Sequence, residues 1–304
     1  MCDHCGCEKN EHFQVHPDPG AGHPPQESHA HAHDAHDSHD SHDSHDSHDS
    51  HDSHHAHDAH EAHDAHEAGG GWHAHTAAGG SVSWHRHGGQ GAQPVLDANQ
   101  REAERNRGYF RARGILALNL VSSPGAGKTT LLQATLERLH ARVGCAVVVG
   151  DLETQADAEA LRPSGVPVVQ ITTGTVCHLD ARMVAAAVDT LPKDGVQLLF
   201  IENVGNLVCP ASFDLGEAHR IVLLAATEGE NKPLKYPPIF HGARAVLISK
   251  TDLAAPAGFD LARARQAIAQ VAPAAEILEL SARTGEGLDA WLAFLERLLA
   301  SADP

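Results

Sequence analysis

The chain has 304 residues, with 22 Lys and Arg against 40 Asp and Glu and a formal charge of −18. That balance argues against a nucleic-acid partner, because phosphate backbones demand the opposite sign. No apolar run approaches the roughly 20 residues of a membrane span, and residues 1–30 lack the apolar centre of a signal peptide, so a cytoplasmic protein without a membrane partner is expected.

The six Cys are read, for a reducing compartment, as thiols or metal ligands in preference to disulfides. Composition divides the chain into a cysteine motif at 1–10, a histidine-rich segment and linker at 11–95, and a region at 97–304 that carries nearly all the Val, Leu and Ile. The segment before residue 95 holds too little apolar surface to offset its ordering entropy, so it is expected to be disordered when unliganded. The later region suffices for one large core.

The chain begins Met1-Cys2-Asp3-His4-Cys5-Gly6-Cys7. Cys2, Cys5 and Cys7 can converge on one soft or borderline ion without a folded scaffold. Removal of Met1 would add the amine of Cys2 as a fourth ligand. The alternative is a reactive, unstructured thiol cluster.

Twenty histidines lie between His23 and His87, and His36–His51 repeats His-Asp-Ser with a period of three. Neutral imidazole binds Ni²⁺, Zn²⁺ and Cu²⁺, and interspersed carboxylates raise the local cation concentration. His31, His33, His36, His39, His42, His45, His48, His51, His54, His57, His60, His63 and His66 therefore read as a low-affinity metal store. The competing readings are a solvated linker and a purification tag; the varied repeats HAHAHD, HDSHDS and HDAHEA speak against a tag. Gly69–Gly91, with Trp72 and Trp84, reads as a linker.

A helix is expected over Asp97–Arg113, then an apolar strand running into Ser122-Ser123-Pro124-Gly125-Ala126-Gly127-Lys128-Thr129-Thr130 and a helix over 131–143. Gly125 and Gly127 let the backbone aim successive N–H groups at a phosphate, with the helix N-terminus adding partial positive charge. Lys128 is then placed for the β and γ phosphates and Thr129 for Mg²⁺. Ser123, Ala126 and Thr130 complete the loop. Ser122 stands where the usual pattern has its first Gly. The bland alternative, a chance Gly-rich turn, is disfavoured by the strand-to-helix context.

Further strands are expected at 145–150, 167–172, 197–204, 220–226, 243–249 and 275–280, alternating with helices at 156–161, 179–191, 260–271 and 288–299. Such alternation predicts an α/β fold of the P-loop NTPase kind, a mostly parallel sheet with helices on both faces. Ligands then bind beyond the carboxyl ends of the strands. There Asp151 and Glu202 are candidates to hold Mg²⁺ with Thr129, which with Lys128 makes the expected hydrolytic set, and Gly205 gives a switch segment its freedom. Glu202 could instead be an ordinary strand-end carboxylate.

Ser249-Lys250-Thr251-Asp252 follows another strand. Asp252 can accept from both donors on the N1/N2 edge of guanine, the Lys250 stem can cover the base, and Ser281-Ala282-Arg283 can supply a backbone N–H to O6; GTP or GDP is favoured over ATP. Ser249 departs from the usual Asn and is expected to weaken the bracing of this loop. Cys177, His178 and Cys209 can meet if their strand ends are neighbours, as mixed S/N ligands for Zn²⁺ or Ni²⁺. The alternative is small buried cysteines.

With these segments assembled, the chain resembles the HypB-type hydrogenase nickel-insertion accessory GTPases over residues 97–304. The carrying segments are SSPGAGKTT, GDLETQADA, GTVCHLDA, ENVGNLVCPASFDLGE, EGENKPLKYP and SKTDL, with the Cys-x-x-Cys-Gly-Cys start and histidine-rich tail. The resemblance implies a GTPase that dimerises around nucleotide or metal; because no Arg or Gln can be named as the group that completes hydrolysis, a slow intrinsic rate is expected. It implies that nickel passes, with a partner metallochaperone, to the precursor large subunit of a [NiFe] hydrogenase. It further implies metal ligation by Cys2, Cys5 and Cys7 and by Cys177, His178 and Cys209, and dimer contacts from 228–237 with Lys232 reaching the partner's nucleotide. Rival readings are a nickel buffer whose nucleotide is structural, and an accessory protein serving urease or a cobalamin enzyme.

Overall fold

The computed structural model describes residues 13–17, 72–76, 82–86 and 93–301. In chain order the elements are β1 (Gln14–His16), β2 (Trp72–Thr76), β3 (Val82–Arg86), α1 (Gln93–Ala112), β4 (Leu116–Ser122), α2 (Lys128–Leu139), β5 (Cys145–Asp151), α3 (Ala156–Leu161) and β6 (Val168–Thr172). They continue with α4 (Ala181–Asp189), β7 (Leu198–Glu202), β8 (His219–Ala225), α5 (Lys232–Lys235), α6 (Pro237–Phe240), β9 (Ala245–Ser249), α7 (Leu261–Val271), β10 (Glu276–Glu279) and α8 (Leu288–Ser301).

Eight strands form one sheet in the order β1-β6-β5-β7-β4-β8-β9-β10. Every pairing is parallel except β1 with β6. Alternation along each strand assigns its side chains to the two faces. Leu116, Leu118 and Leu120 of β4 pack with Leu131, Leu132 and Leu136 of α2 and with Trp291 and Leu295 of α8. The opposite parity, Ala117, Ala146 and Val148, packs with Phe110 of α1 and Met183 and Val184 of α4. Val222, Leu224, Val246 and Ile248 are covered by Ala264 and Ile268 of α7. This is the two-sided α/β sheet that the sequence predicts, and each leucine so covered contributes roughly 1.5–3 kcal/mol. Among the described residues no helix is long and apolar enough to cross a membrane.

The structure departs from the sequence expectation, or adds to it, as follows. Residues 14–16, assigned to the histidine-rich segment, extend the sheet beside β6, with Phe13 and Val15 packed on the core. Residues 72–76 and 82–86, read as linker, pair as an antiparallel hairpin; alternating Trp, Val and Thr suit strands, and Gly79-Gly80 lies between them. Helix α4 begins at Ala181 and not at Leu179, because Asp180 caps it by accepting from the Met183 N–H at 2.8 Å. Residues 232–240 form two short helices, with Pro233 and Pro237 at their first turns.

Candidate nucleotide site and metal centre

The carboxyl ends of the parallel strands bring Ser122, Asp151, Thr172, Glu202 and Ser249 to one end of the sheet. Between β4 and α2 the loop 123–127 turns through Gly125 at φ 72° and Gly127 at φ 96°, left-handed values that favour glycine. Among the described non-glycine residues only Lys250 has positive φ, so Ser122 loses nothing by not being Gly. It ends β4 fully buried, and its Oγ accepts from Lys128 Nζ at 3.1 Å. Lys128 thus rests inside the loop, one short movement from any phosphate cradled there.

Thr129 Oγ1 lies 2.8 Å from Glu202 Oε1 and 3.0 Å from Asp157 Oδ1. A hydroxyl has one proton, so it donates to only one of them; the other contact needs a protonated carboxyl or a shared cation. Glu202 is 2% exposed, and burial, which outweighs the opposing pull of Lys128 and Thr129, pushes its carboxyl up to about 7, with Asp157 and Asp151 adding repulsion. Its Oε2 is buried with no hydrogen-bond partner. Oxygen donors, excess negative charge and an orphaned carboxylate oxygen fit a hard dication such as Mg²⁺. Asp157, on α3, was not anticipated. Asp151 was, yet its Oδ1 is occupied by Glu153 N at 3.1 Å and by Thr154 N at 2.7 Å. The structure thus adds Asp157, hydrogen-bonded to Thr129, beside Asp151, which acts on Glu202 through its charge.

A cavity of about 300 Å³ opens beside the loop, lined among others by Gly127, Lys250, Asp252, Ser281, Ala282 and Arg283. Ser249 Oγ donates to Ala126 O at 2.8 Å and Lys250 Nζ to Gly125 O at 2.6 Å. The expected loss of bracing at Ser249 is therefore not observed: the shorter hydroxyl reaches the phosphate loop directly. Asp252 accepts from Ser281 Oγ at 2.6 Å and from Arg283 Nη2 at 2.6 Å, bonds that hold its carboxyl below the usual range. Lys232 Nζ stands 3.5 Å from Ser123 Oγ, so in the single chain it lies on its own phosphate loop.

Cys177, His178 and Cys209 converge, their ligand atoms all within 4.8 Å of one another. Their strand ends are not neighbours, because β5 lies between β6 and β7. The loop after β6 crosses the end of β5, and Leu179 packs closely against Gly150, where a Cβ would lie 2.7 Å from Leu179 Cδ2. The two sulfurs are 2.9 Å apart and partly exposed. His178 is 1% exposed, stacked on Phe213 at 3.8 Å, with Nδ1 buried and unpartnered; burial lowers its pKa to about 4, which keeps the imidazole neutral. Two thiols and a neutral imidazole suit a borderline ion, with coordination positions left open. Cys145, by contrast, is buried in β5 and its thiol is pushed up to about 11, which makes it inert.

The two sites share one segment. Glu202 ends β7, and the adjacent Asn203, 1% exposed, accepts from Leu179 N at 3.2 Å beside His178. Two residues on, a Cβ at Gly205 would lie 2.8 Å from Pro124 Cα of the phosphate loop. Four residues further stands Cys209. Cys2, Cys5, Cys7 and the histidines from His31 to His66 lie outside the described residues.

The family described as "CobW/HypB/UreG, nucleotide-binding domain" matches residues 116–279. The chain is 55% identical over 202 residues to the hydrogenase maturation factor HypB of Escherichia coli (strain K12), covering 66% of this chain and 70% of that protein. It is 40% identical over 207 residues to the hydrogenase/urease maturation factor HypB of Helicobacter pylori, covering 67% and 85%. The crystal structure of HypB from Helicobacter pylori in complex with nickel is similar with a TM-score of 0.64 at 39% identity, covering 67% of this chain and 96% of that one.

Proposed function

The chain belongs to the HypB family of CobW/HypB/UreG nucleotide-binding proteins, and from that premise we propose that it hydrolyses GTP to control the loading and release of nickel for assembly of a [NiFe] hydrogenase. The observation that carries the reading is the single segment 202–209, which touches the phosphate loop through Gly205, the histidine loop through Asn203, and bears Cys209.

Guanine enters the cavity at Asp252, and the triphosphate lies along the N–H groups of 123–129. Lys128 exchanges Ser122 for phosphate oxygens, neutralising charge as it builds on the leaving group. Thr129, Glu202 and Asp157 would hold Mg²⁺, which supplies further charge neutralisation to the phosphates. Gly205, packed on Pro124, is displaced or retained according to the terminal phosphate, and Cys209 moves with it. The partly exposed thiols leave the nickel open to further ligands, so that a second copy of the chain completes its coordination and a partner metallochaperone or the hydrogenase large-subunit precursor removes it. Zn²⁺ suits the same donors and competes at rest. The Helicobacter pylori relative, which also serves urease by name, favours a second reading in which the nickel reaches urease.

The test is a nickel titration of the full chain carrying Cys2→Ser, Cys5→Ser and Cys7→Ser, followed through thiolate-to-nickel absorption. With Cys145 inert, that signal reports Cys177 and Cys209. Affinities with GDP and with a non-hydrolysable GTP analogue are expected to differ at least about tenfold, within the usual range of allosteric coupling. Equal affinities would leave nickel storage, with the nucleotide merely structural, as the better account.

Gly205→Ala examines the link itself. The added methyl meets the Pro124 backbone, so segment and loop cannot keep their contact. In the same assay the nucleotide-dependent difference is expected to shrink below about twofold, while nickel still binds. A variant that keeps the wild-type difference would place the coupling elsewhere.

A further inference from the structure

Helix α1 turns one stripe toward the core at helical spacing, and Asn99, Ala103, Asn106 and Phe110 on it are buried. Ala103 and Phe110 suit that place. The two asparagines are poor helix formers, and a buried amide costs free energy unless it is hydrogen-bonded. Both are bonded, and to the same two places. Asn99 Oδ1 accepts from Ala181 N at 2.8 Å, and its Nδ2 donates to Asp214 O at 2.8 Å. Asn106 Nδ2 donates to Ala181 O at 2.8 Å and to Leu215 O at 2.9 Å. Arg107 Nη2 adds bonds to both carboxylate oxygens of Asp214, at 2.8 and 2.6 Å. Gly216 lets loop and helix close on one another, since a Cβ there would lie 2.5 Å from Ala103 O.

The two places flank the metal group. Ala181 stands three residues after His178, and Asp214 five residues after Cys209, directly following Phe213. Phe213 is the residue whose ring stacks on His178, with centroids 3.8 Å and planes 28° apart. A ligand imidazole is ordinarily oriented by a hydrogen bond to its second nitrogen. His178 Nδ1 is buried without such a partner, so on that side the flat contact with Phe213 orients the ring.

We propose that Asn99 and Asn106 are positioning residues of the metal centre: by holding Ala181 and residues 214–215 together they keep Phe213 on His178, and so present the imidazole to the ion beside Cys177 and Cys209. The inference rests on the reading of that group as a nickel site. A fully bonded buried polar network fixes one arrangement of the elements it joins, and here those elements are the two arms that carry the ligands. Amides that only satisfied backbone groups would affect stability, and would affect nickel affinity equally whether or not His178 is present.

The test is nickel affinity with GDP bound, read by thiolate-to-nickel absorption in the full chain carrying Cys2→Ser, Cys5→Ser and Cys7→Ser, with and without His178→Ala. Asn106→Ala removes both bonds of one amide. Asn99→Asp is milder, because it keeps the acceptor for Ala181 N and loses only the donor to Asp214 O; it decides the matter if the first variant does not fold. GDP affinity at the wild-type value confirms the fold of each chain. With His178 present, each substitution is expected to lower nickel affinity at least about tenfold, the scale on which groups behind a metal ligand are felt. In the His178→Ala chain, where no imidazole is left to orient, the same substitution should cost less than about twofold. Unchanged affinity with His178 present, or an equal fall in both backgrounds, would overturn the positioning role alone. If His178→Ala itself leaves nickel affinity unchanged, His178 is not a ligand and the reading of the metal centre falls with it, so the two failures are distinct.

Discussion

Glu202→Gln is expected to leave the chain more stable at pH 8 in the absence of nucleotide and divalent cations, and to lower GTP turnover by at least about 10²-fold, the scale on which one lost charge-stabilising group is felt. The stability half follows from linkage. Burial raises the folded-state carboxyl from 4.5 to about 7. Between those values the folded chain keeps a proton that the unfolded chain has released, so its stability falls as pH rises and reaches its low plateau above about 7. The difference of roughly 2.5 pH units corresponds to on the order of 3 kcal/mol. His178 acts oppositely: its folded pKa is lowered from 6.5 to about 4, so its contribution is present above 6.5 and is lost as pH falls. Both chains share that term, and it cancels in their difference. Thermal unfolding between pH 5 and 8 should therefore show the variant gaining on wild type as pH rises, with Mg²⁺ raising the midpoint of wild type only. Wild-type stability equal to the variant's at pH 8, or unimpaired phosphate release, would remove Glu202 from the site.

What the sequence revealed of this arrangement depended on distance along the chain. The phosphate loop was legible because its parts are consecutive: Gly125, Gly127, Lys128 and Thr129 need only a strand before them and a helix after. The two-sided sheet was legible too, since runs such as CAVVVG and AVLIS can only be buried. Asp157 was missed because nothing local distinguishes it from Asp151; only the placement of α3 over α2 sets one carboxylate beside Thr129 while Thr154 folds back on the other. The convergence of Cys177 and His178 with Cys209 comes about by another route than the one the spacing suggests. Their meeting is expected on the condition that the strand ends are neighbours, whereas the loop reaches across β5, with Leu179 packed on Gly150. Strand β1 has three residues, too few for alternation to register, and it is defined by its partner on β6 rather than by its own composition.

Asp252→Asn should reverse the choice of base. Asp252 offers two acceptor oxygens and no donor, which matches the N1–H and N2–H₂ edge of guanine. In the structure one of those oxygens is held by Arg283, whose side chain is 74% exposed; an ion pair so screened by solvent contributes little and yields readily to a bidentate partner. Ser281, fully buried, keeps its hydroxyl on the other oxygen and fixes the orientation of the carboxylate. An amide at this position turns an NH₂ toward the guanine N2–H₂, so that two donors face one another. With one hydrogen bond lost and two donors opposed, GTP affinity should fall at least about 30-fold. Xanthosine triphosphate carries an oxygen where guanine carries the amine, and should bind the variant more tightly than GTP does. ATP, which has no matching donors, should be unaffected. Displacement of a fluorescent guanine nucleotide by each triphosphate measures all three. Retention of GTP within about tenfold of wild type would mean that the base does not rest on Asp252. The cavity beside Ser249 and Lys250 would then have to accept its nucleotide through Ala282 and the backbone alone.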